Sequence, residues 1–310
     1  MIYTVTFNPA LDKTVTIDNF KLNEVNRVLS IKKDAGGKGI NVSKMLDKLG
    51  GKSCAVGFLG LETGKYIEKE LTQAGIQTCF VHTHEETRVN LKVVDPLNST
   101  FTDINEPGGI VSQADIKSLK SKLLSMVKSD DIVVFSGKTA NGMEDSVVKE
   151  WSLQCKHKGA KVFVDAEGKT LKLAVEAQPY MIKPNFKELK SICGKKLDNQ
   201  EAVILECDKL IKSGISIVAL SLGENGALFF YEDDRFYAKA LKVEVKSTVG
   251  AGDSMMAAFA YGVQHNLGLE ETAKLSMAAS AAKVTCEGTE MPDKEQVYRL
   301  LDKVCLERIT

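Results

Sequence analysis

The sequence predicts an α/β fold: a mostly parallel central sheet with helices on both faces and a small inserted β segment. Three observations carry this expectation. Short β-branched runs alternate with amphipathic stretches, the order expected of strands joined by crossover helices. The strand runs are nearly continuous in apolar residues, as when both faces of a sheet are covered. Two extended stretches, 12–33 and 88–106, break that alternation.

Taken in order, residues 2–7, 53–58, 132–136, 161–164 and 216–221 read as strands. Amphipathic segments at 41–49, 64–74, 113–127, 146–156 and 201–212 read as the helices between them. The stretch 12–33 holds two strand-like pieces and no helix. The stretch 88–106 holds two more, around 89–94 and 100–104. Such insertions into an α/β chain suit a separate small sheet, a lid, with plain surface loops as the alternative. No repeat, low-complexity tract or linker divides the chain, so residues 1–310 are expected to form one domain.

With 44% hydrophobic residues among 310, the chain has an ordinary globular composition. Its 41 basic and 41 acidic residues balance, which argues against a nucleic-acid partner or a polybasic membrane surface. The 7 cysteines show no C-x-x-C spacing, so a zinc or dithiol motif has no support. A reduced, cytoplasmic protein fits that usage. No apolar run approaches the roughly 18 residues of a membrane helix, and the first residues lack a signal-peptide pattern.

The most informative stretch is Thr248-Val249-Gly250-Ala251-Gly252-Asp253-Ser254, a glycine turn feeding a small-residue helix. The first N–H groups of a helix have no internal partner and carry partial positive charge. Glycines allow close approach of an anion to that backbone. Asp253 therefore stands at an anion-binding helix terminus; from this stretch alone, a helix cap explains it equally well. Rival glycine motifs fail. A dinucleotide fingerprint needs glycine where Met255 stands, a Walker loop ending at Gly51-Lys52-Ser53 would need glycine at Leu46, and Gly64-Lys65 is followed by Tyr66.

Seven elements in order now resemble one family: Asn8-Pro9-Ala10-Leu11-Asp12, Gly36-Gly37-Lys38-Gly39-Ile40-Asn41, Thr87-Arg88, Ser136-Gly137, Lys183-Pro184-Asn185-Phe186-Lys187-Glu188, Ser221-Leu222-Gly223 and Gly250–Asp253. The chain resembles the ribokinase-like PfkB carbohydrate kinases nearly end to end. It is most similar to the branch containing 1-phosphofructokinase and tagatose-6-phosphate kinase. The resemblance implies a three-layer α/β/α kinase domain with a β lid, ATP and Mg2+ as cofactors, and a small sugar phosphate as acceptor.

It also implies roles. Asp253 matches the catalytic base, which needs little base strength in a loose phosphoryl-transfer transition state. The amides of Gly250, Ala251, Gly252 and Asp253 would hold developing charge. Asp12, Gly36, Gly37 and Asn41 match sugar-binding positions; a turn residue and an ordinary helical residue are the bland alternatives for Asp12 and Asn41. Lys38, Arg88, Arg27 and Lys138 would meet the substrate phosphate, where cations suit an anionic end. Lys183, Asn185, Ser221, Gly223, Gly226 and Thr248 would line the ATP site. Asn185 and Glu188 match a magnesium element, since one carboxylate acting through water suffices for that ion; a helix cap is the alternative. His82 and His84 lack a third ligand and read as a solvated strand end.

Two positions depart from the family pattern. Lys138 stands where a serine is usual, and Glu167 where Ser or Asp is commoner. Both bear on substrate identity rather than reaction type. The resemblance favours fructose 1-phosphate, converted to fructose 1,6-bisphosphate. Tagatose 6-phosphate is the alternative substrate, and a catalytically silent nucleotide- or sugar-phosphate-binding regulator the alternative class. Relatives often pair their lids, so a homodimer through 12–33 and 88–106 is expected, covering strand edges that would otherwise lie open.

Overall fold

The structure is a computed structural model and describes residues 1–309. In chain order its elements are β1 (Ile2–Thr6), β2 (Ala10–Thr16), β3 (Ser30–Gly36), α1 (Lys38–Leu49), β4 (Ser53–Gly60), α2 (Leu61–Gln73), β5 (Gln77–Thr83), β6 (Val89–Asp95), β7 (Thr100–Asn105), α3 (Gln113–Met126), β8 (Ile132–Ser136), α4 (Val147–His157), β9 (Lys161–Asp165), α5 (Gly168–Val175), β10 (Met181–Ile182), α6 (Phe186–Cys193), α7 (Gln200–Lys212), β11 (Ile217–Ser221), β12 (Ala227–Tyr231), β13 (Asp234–Ala238), α8 (Ala251–Gln264), α9 (Leu269–Val284), α10 (Lys294–Leu301) and β14 (Leu306–Arg308).

The main sheet runs β14-β13-β12-β11-β10-β9-β8-β1-β4-β5. From β5 to β11 all neighbours are parallel; β11 to β14 form an antiparallel ribbon at one end. Every residue of β1, β4 and β8 is buried, because helices cover both faces. Alternation along β1 separates the two layers. Tyr3 and Val5 pack with α3, α4, α5 and α7 through Leu119, Trp151, Leu171 and Cys207. Ile2 packs on the opposite face with α1, α8, α9 and α10 through Met45, Phe259, Ala278 and Val297.

The smaller sheet runs β3-β2-β6-β7. Its strands fall where the two interruptions were expected, although β2 and β3 extend to residues 10 and 36, beyond the predicted 12–33. A small cluster of Val15, Ile17 and Val93 packs on its far part, while Leu11 and Ala35 join Ile40, Leu59 and Ile67 where it meets the main body. All of β7 is exposed, and Ile31, Phe101 and Ile104 present apolar side chains to solvent.

All five predicted strands and five predicted helices are present within a few residues of their expected ends. The sequence reading missed β5, β10, the β12–β14 ribbon and helices α5, α9 and α10. For α9 the reason is physical. It packs between neighbours with residues of several faces buried, so it lacks the polar stripe that periodicity detects.

Candidate active site

The C-terminal ends of the parallel strands converge with the N-termini of α1 and α8, the crevice where open α/β sheets bind ligands. A cavity of about 440 Å³ opens there, lined by Asp12, Gly37, Lys38, Asn41, Arg88, Asn90, Asp165, Lys183, Gly250, Gly252 and Asp253 among others.

Asp253 is the third residue of α8. The helix is capped by Gly250, which takes φ 81° and makes the turn without a side-chain cap, so the cap role considered for Asp253 belongs to Gly250. The Asp253 carboxyl is only 6% exposed. Asn41 Nδ2, from the first turn of α1, donates to its Oδ2 at 2.8 Å. Burial, and then the Asp165 charge, push Asp253 up to about 6; the Asn41 hydrogen bond, Lys38 and Lys183 oppose this.

Asp165 ends β9 and is buried. Lys38 Nζ donates to its Oδ1 at 3.4 Å, and Lys183 Nζ lies 3.4 Å from its Oδ2. Burial alone would raise this carboxyl, but the two ammonium groups outweigh it and hold Asp165 below the usual carboxylate range. Burial likewise works against the Lys38 charge, while Asp165, Asp253 and Glu188 more than compensate and raise it. Two carboxylates in one cavity are thus pushed apart in proton affinity, Asp165 held low and Asp253 raised. Asp165 was not singled out as a site residue in the sequence; the signal was an apolar strand ending on a carboxylate.

The facing wall belongs to the small sheet. Arg88, just before β6, and Asn90 and Lys92 within it alternate and line the cleft together, as strand periodicity requires. Asn90 Nδ2 donates to Asp12 Oδ1 at 2.8 Å. Arg88 Nη1 donates to Asn90 Oδ1 at 2.8 Å and to the Glu106 carbonyl at 3.1 Å, while its buried Nε has no partner. Burial raises the Asp12 carboxyl, opposed by Asn90, Arg88 and Lys44. Gly36 is required here, because a Cβ on it would lie 2.1 Å from Asp12 Oδ2. Asn90 is a second residue the sequence reading missed; its place two residues after Arg88 on a strand was the available signal.

Beyond Lys183 the chain enters a second depression of about 520 Å³, lined by Asn185, Ser221, Leu222 and Gly223. Ser221 N donates to the Pro184 carbonyl at 2.9 Å, which holds the ends of β10 and β11 together. Asn185 and Glu188 form a reciprocal cap of α6: Glu188 N donates to Asn185 Oδ1 at 2.9 Å, and Asn185 N to Glu188 Oε2 at 2.8 Å. The capping alternative for this pair is therefore realised, and it leaves a single Glu188 oxygen for any ion. Among the described residues, no three His, Cys, Asp or Glu side chains cluster as metal ligands. His82 is exposed, with Nε2 3.3 Å from Glu68.

Seven expected residues line neither cavity: Gly36, Glu188 and Ala251, each next to or one turn from a residue that does, and Arg27, Lys138, Thr248 and Gly226. Arg27 is exposed in the excursion between β2 and β3. Lys138 is 72% exposed and lies 3.4 Å from Glu167, so the two departures from the family pattern meet each other. Thr248 is exposed and supports the turn through its carbonyl, which accepts from Ala251 N at 3.4 Å. Gly226 acts in packing, since a Cβ there would meet the Ala238 carbonyl oxygen at 1.9 Å.

Comparison with known proteins agrees with this fold. The profile of the pfkB family carbohydrate kinases matches residues 5–296. The 1-phosphofructokinase of Bacillus subtilis is 33% identical over 309 residues, covering 100% of both chains. That of Borreliella burgdorferi is 34% identical over 283 residues, 91% of each chain. The structure of phosphofructokinase-2 from Escherichia coli in complex with substrates and products superposes with a TM-score of 0.93 at 26% identity, covering 97% of this chain and 98% of that one. The tetrameric inhibited form of that enzyme gives a TM-score of 0.91 at 26% identity over the same shares.

Proposed function

The chain belongs to the pfkB family of carbohydrate kinases and is an ATP-dependent sugar-phosphate kinase, and on that premise we propose that its acceptor is the C6 hydroxyl of fructose 1-phosphate. The observation that carries the reading is Asp253: a buried carboxylate, oriented by Asn41, at the mouth of a helix N-terminus and facing the same cavity as Asp12 and Arg88.

In this reading Asp12 and Asn90 bind ring hydroxyls, and Arg88 with Lys38 receives the phosphate at the far end of the sugar. Asp253 accepts the proton of the C6 hydroxyl. The oxygen forms a bond to the γ-phosphorus while the bond from that phosphorus to the β–γ bridging oxygen breaks, and its electron pair leaves with ADP. The amides of Gly250 to Asp253 hold the charge spread over the transferred group. Lys183 approaches the ATP phosphates, and Ser221 and Gly223 line the nucleotide. The remaining Glu188 oxygen fits a magnesium ion held through water, an ion that takes few protein ligands when phosphates supply the rest. When bound, the ion neutralises phosphate charge; Lys183 and the α8 amides do so from the protein side.

Tagatose 6-phosphate is the second acceptor considered, because it too places a free hydroxyl and a phosphate at opposite ends of a ketohexose. Relatives named 1-phosphofructokinase favour the first. A silent regulator is disfavoured by the intact set of Asp253, Asn41, Lys183 and Glu188. The exposed apolar face of the small sheet supports a homodimer through the lids, and the chain is read as acting in the cytoplasm. Among the described residues, no helix is long and apolar enough to cross a membrane.

The test is a coupled ADP-release assay ranking kcat/KM over fructose 1-phosphate, tagatose 6-phosphate, fructose 6-phosphate and free fructose. Fructose 1-phosphate is expected first. Free fructose ranking first overturns the phosphate pocket, and no ADP release with any of them overturns the kinase mechanism.

A further inference from the structure

Lys283 occupies the second-last position of α9 and is 0% exposed, although the helix around it is otherwise rich in alanine. Its Nζ donates to the Gly288 carbonyl at 2.9 Å and has no ion-pair partner among the described residues. The side chain lies directly beneath the anion-binding turn: a Cβ placed on Gly250 would be 3.1 Å from Lys283 Cε. Two backbone segments close around it. Lys246 N and Ser247 N donate to the Val284 carbonyl at 2.8 and 3.2 Å, and Cys286 N donates to the Lys283 carbonyl at 3.0 Å.

A lysine sealed from solvent without a carboxylate partner is costly, and an apolar side chain of the same length would fill the space without that cost. Its position suggests what the charge accomplishes. The N-terminus of α8 already offers partial positive charge to an anion. A full positive charge just behind Gly250, in a site closed to water, adds to that field without having to be reorganised during the reaction.

We propose that the Lys283 ammonium serves as an internal cation, tying the 246–250 turn to the 285–289 loop and fixing positive charge behind the transferred phosphoryl group, so that no monovalent cation need be taken from solvent for this purpose. Lys283 touches neither substrate; it is a positioning residue acting through the Gly250 turn. The inference rests on Gly250 to Asp253 being the anion hole of the proposed reaction.

Its test begins with the unaltered enzyme. ADP release with fructose 1-phosphate is measured in buffers whose only monovalent cation is potassium, sodium or tetramethylammonium. The rates are expected to agree within about twofold, and a potassium requirement of about tenfold or more overturns the proposal. In Lys283→Met, kcat is expected to fall about 10²-fold with KM for the sugar phosphate nearly unchanged. Added ammonium or potassium should restore a substantial part of that loss by entering the vacated space beside the Gly288 carbonyl. Unaltered kcat in Lys283→Met overturns the inference, and so does a loss that no cation restores, since packing alone then accounts for the residue. If that variant does not fold, the unaltered enzyme decides the question. Absence of ADP release by the unaltered enzyme with every sugar phosphate defeats the kinase mechanism itself, and this inference with it.

Discussion

The wall made by Asp165, Lys183 and Asp253 and the wall made by Asp12, Arg88 and Asn90 face each other across one cavity, yet they are held very differently. The first stands on strand ends and helix starts of a sheet covered on both faces, and its three members are each under 7% exposed. The second stands on a four-stranded sheet with a small apolar cluster on it and an exposed outer strand. Burial pushes both Asp253 and Asp165 up; Lys183 and Lys38 reverse that push at Asp165 and oppose it only in part at Asp253, which separates the two in proton affinity. On the small sheet, burial raises Asp12 too, opposed by the Asn90 hydrogen bond and by Arg88 and Lys44. The difference teaches that, under the proposed mechanism, the reacting groups stand on the doubly covered sheet and the sugar-binding groups on a sheet with one outer strand fully exposed.

The strongest way to break that division is Asp253→Asn. Its kcat is expected to fall about 10²- to 10⁴-fold, the usual worth of a positioned base. The same change should stabilise the fold. The native carboxyl has its proton affinity raised above the ordinary value of 3.8 to about 6. Between those values the folded state holds more protons than the unfolded one. The group's favourable contribution is therefore complete below the ordinary value and lost as pH rises through about 6. Removing the charge at pH 7 should then gain roughly 1–3 kcal/mol, read from chemical denaturation. A variant with nearly normal turnover would remove Asp253 from the base role.

On the other wall, Arg88→Ala should act on binding rather than chemistry. Loss of a charge-assisted hydrogen bond costs roughly 1.5–3 kcal/mol, so kcat/KM for phosphorylated acceptors should drop about 10- to 150-fold. A free sugar should be spared. Equal losses on phosphorylated and free sugars would erase the distinction between the walls.

A pH profile sharpens the comparison. The Asp253 carboxyl must be ionised to accept a proton, so kcat/KM should fall about tenfold per unit below pH 6. Asp165 stays ionised through that range because Lys183 and Lys38 hold it low. The residual activity of Asp253→Asn should lack the acidic limb. An identical limb in that variant would assign the titration elsewhere.

The smallest effect on turnover is expected from the outer face of the lid. Phe101→Glu and Ile31→Glu place charge on exposed apolar positions. If lids pair in solution, light scattering should show the unaltered chain as a dimer and these variants as monomers, with kcat changed only a few-fold. A monomeric unaltered chain at micromolar concentration would leave the lid's apolar face without its proposed partner.

Local chemistry made much of this protein legible before any folding. Apolar runs announced the buried strands β1, β4 and β8, because covering both faces leaves no polar alternation. The Gly250 turn announced an anion-binding helix start, because only glycine adopts that backbone cheaply and approaches an anion closely. What the sequence could not express was the meeting of residues far apart in it. Asn41 reaches Asp253 across 212 positions and Lys38 reaches Asp165 across 127, and the carboxyls' proton affinities arise from burial together with these neighbours. Asn185 and Glu188 were legible as a pair, but that they cap α6 was decided by the hydrogen bonds. Lys138, Thr248 and Gly226 read as site residues from their place in or beside family motifs and Arg27 from its place in an inserted segment, and none of the four lines the two cavities. Lys283 shows the same limit most sharply: a lysine in a helix is ordinarily solvated, and only the closing of two loops over α9 turns it into a buried charge.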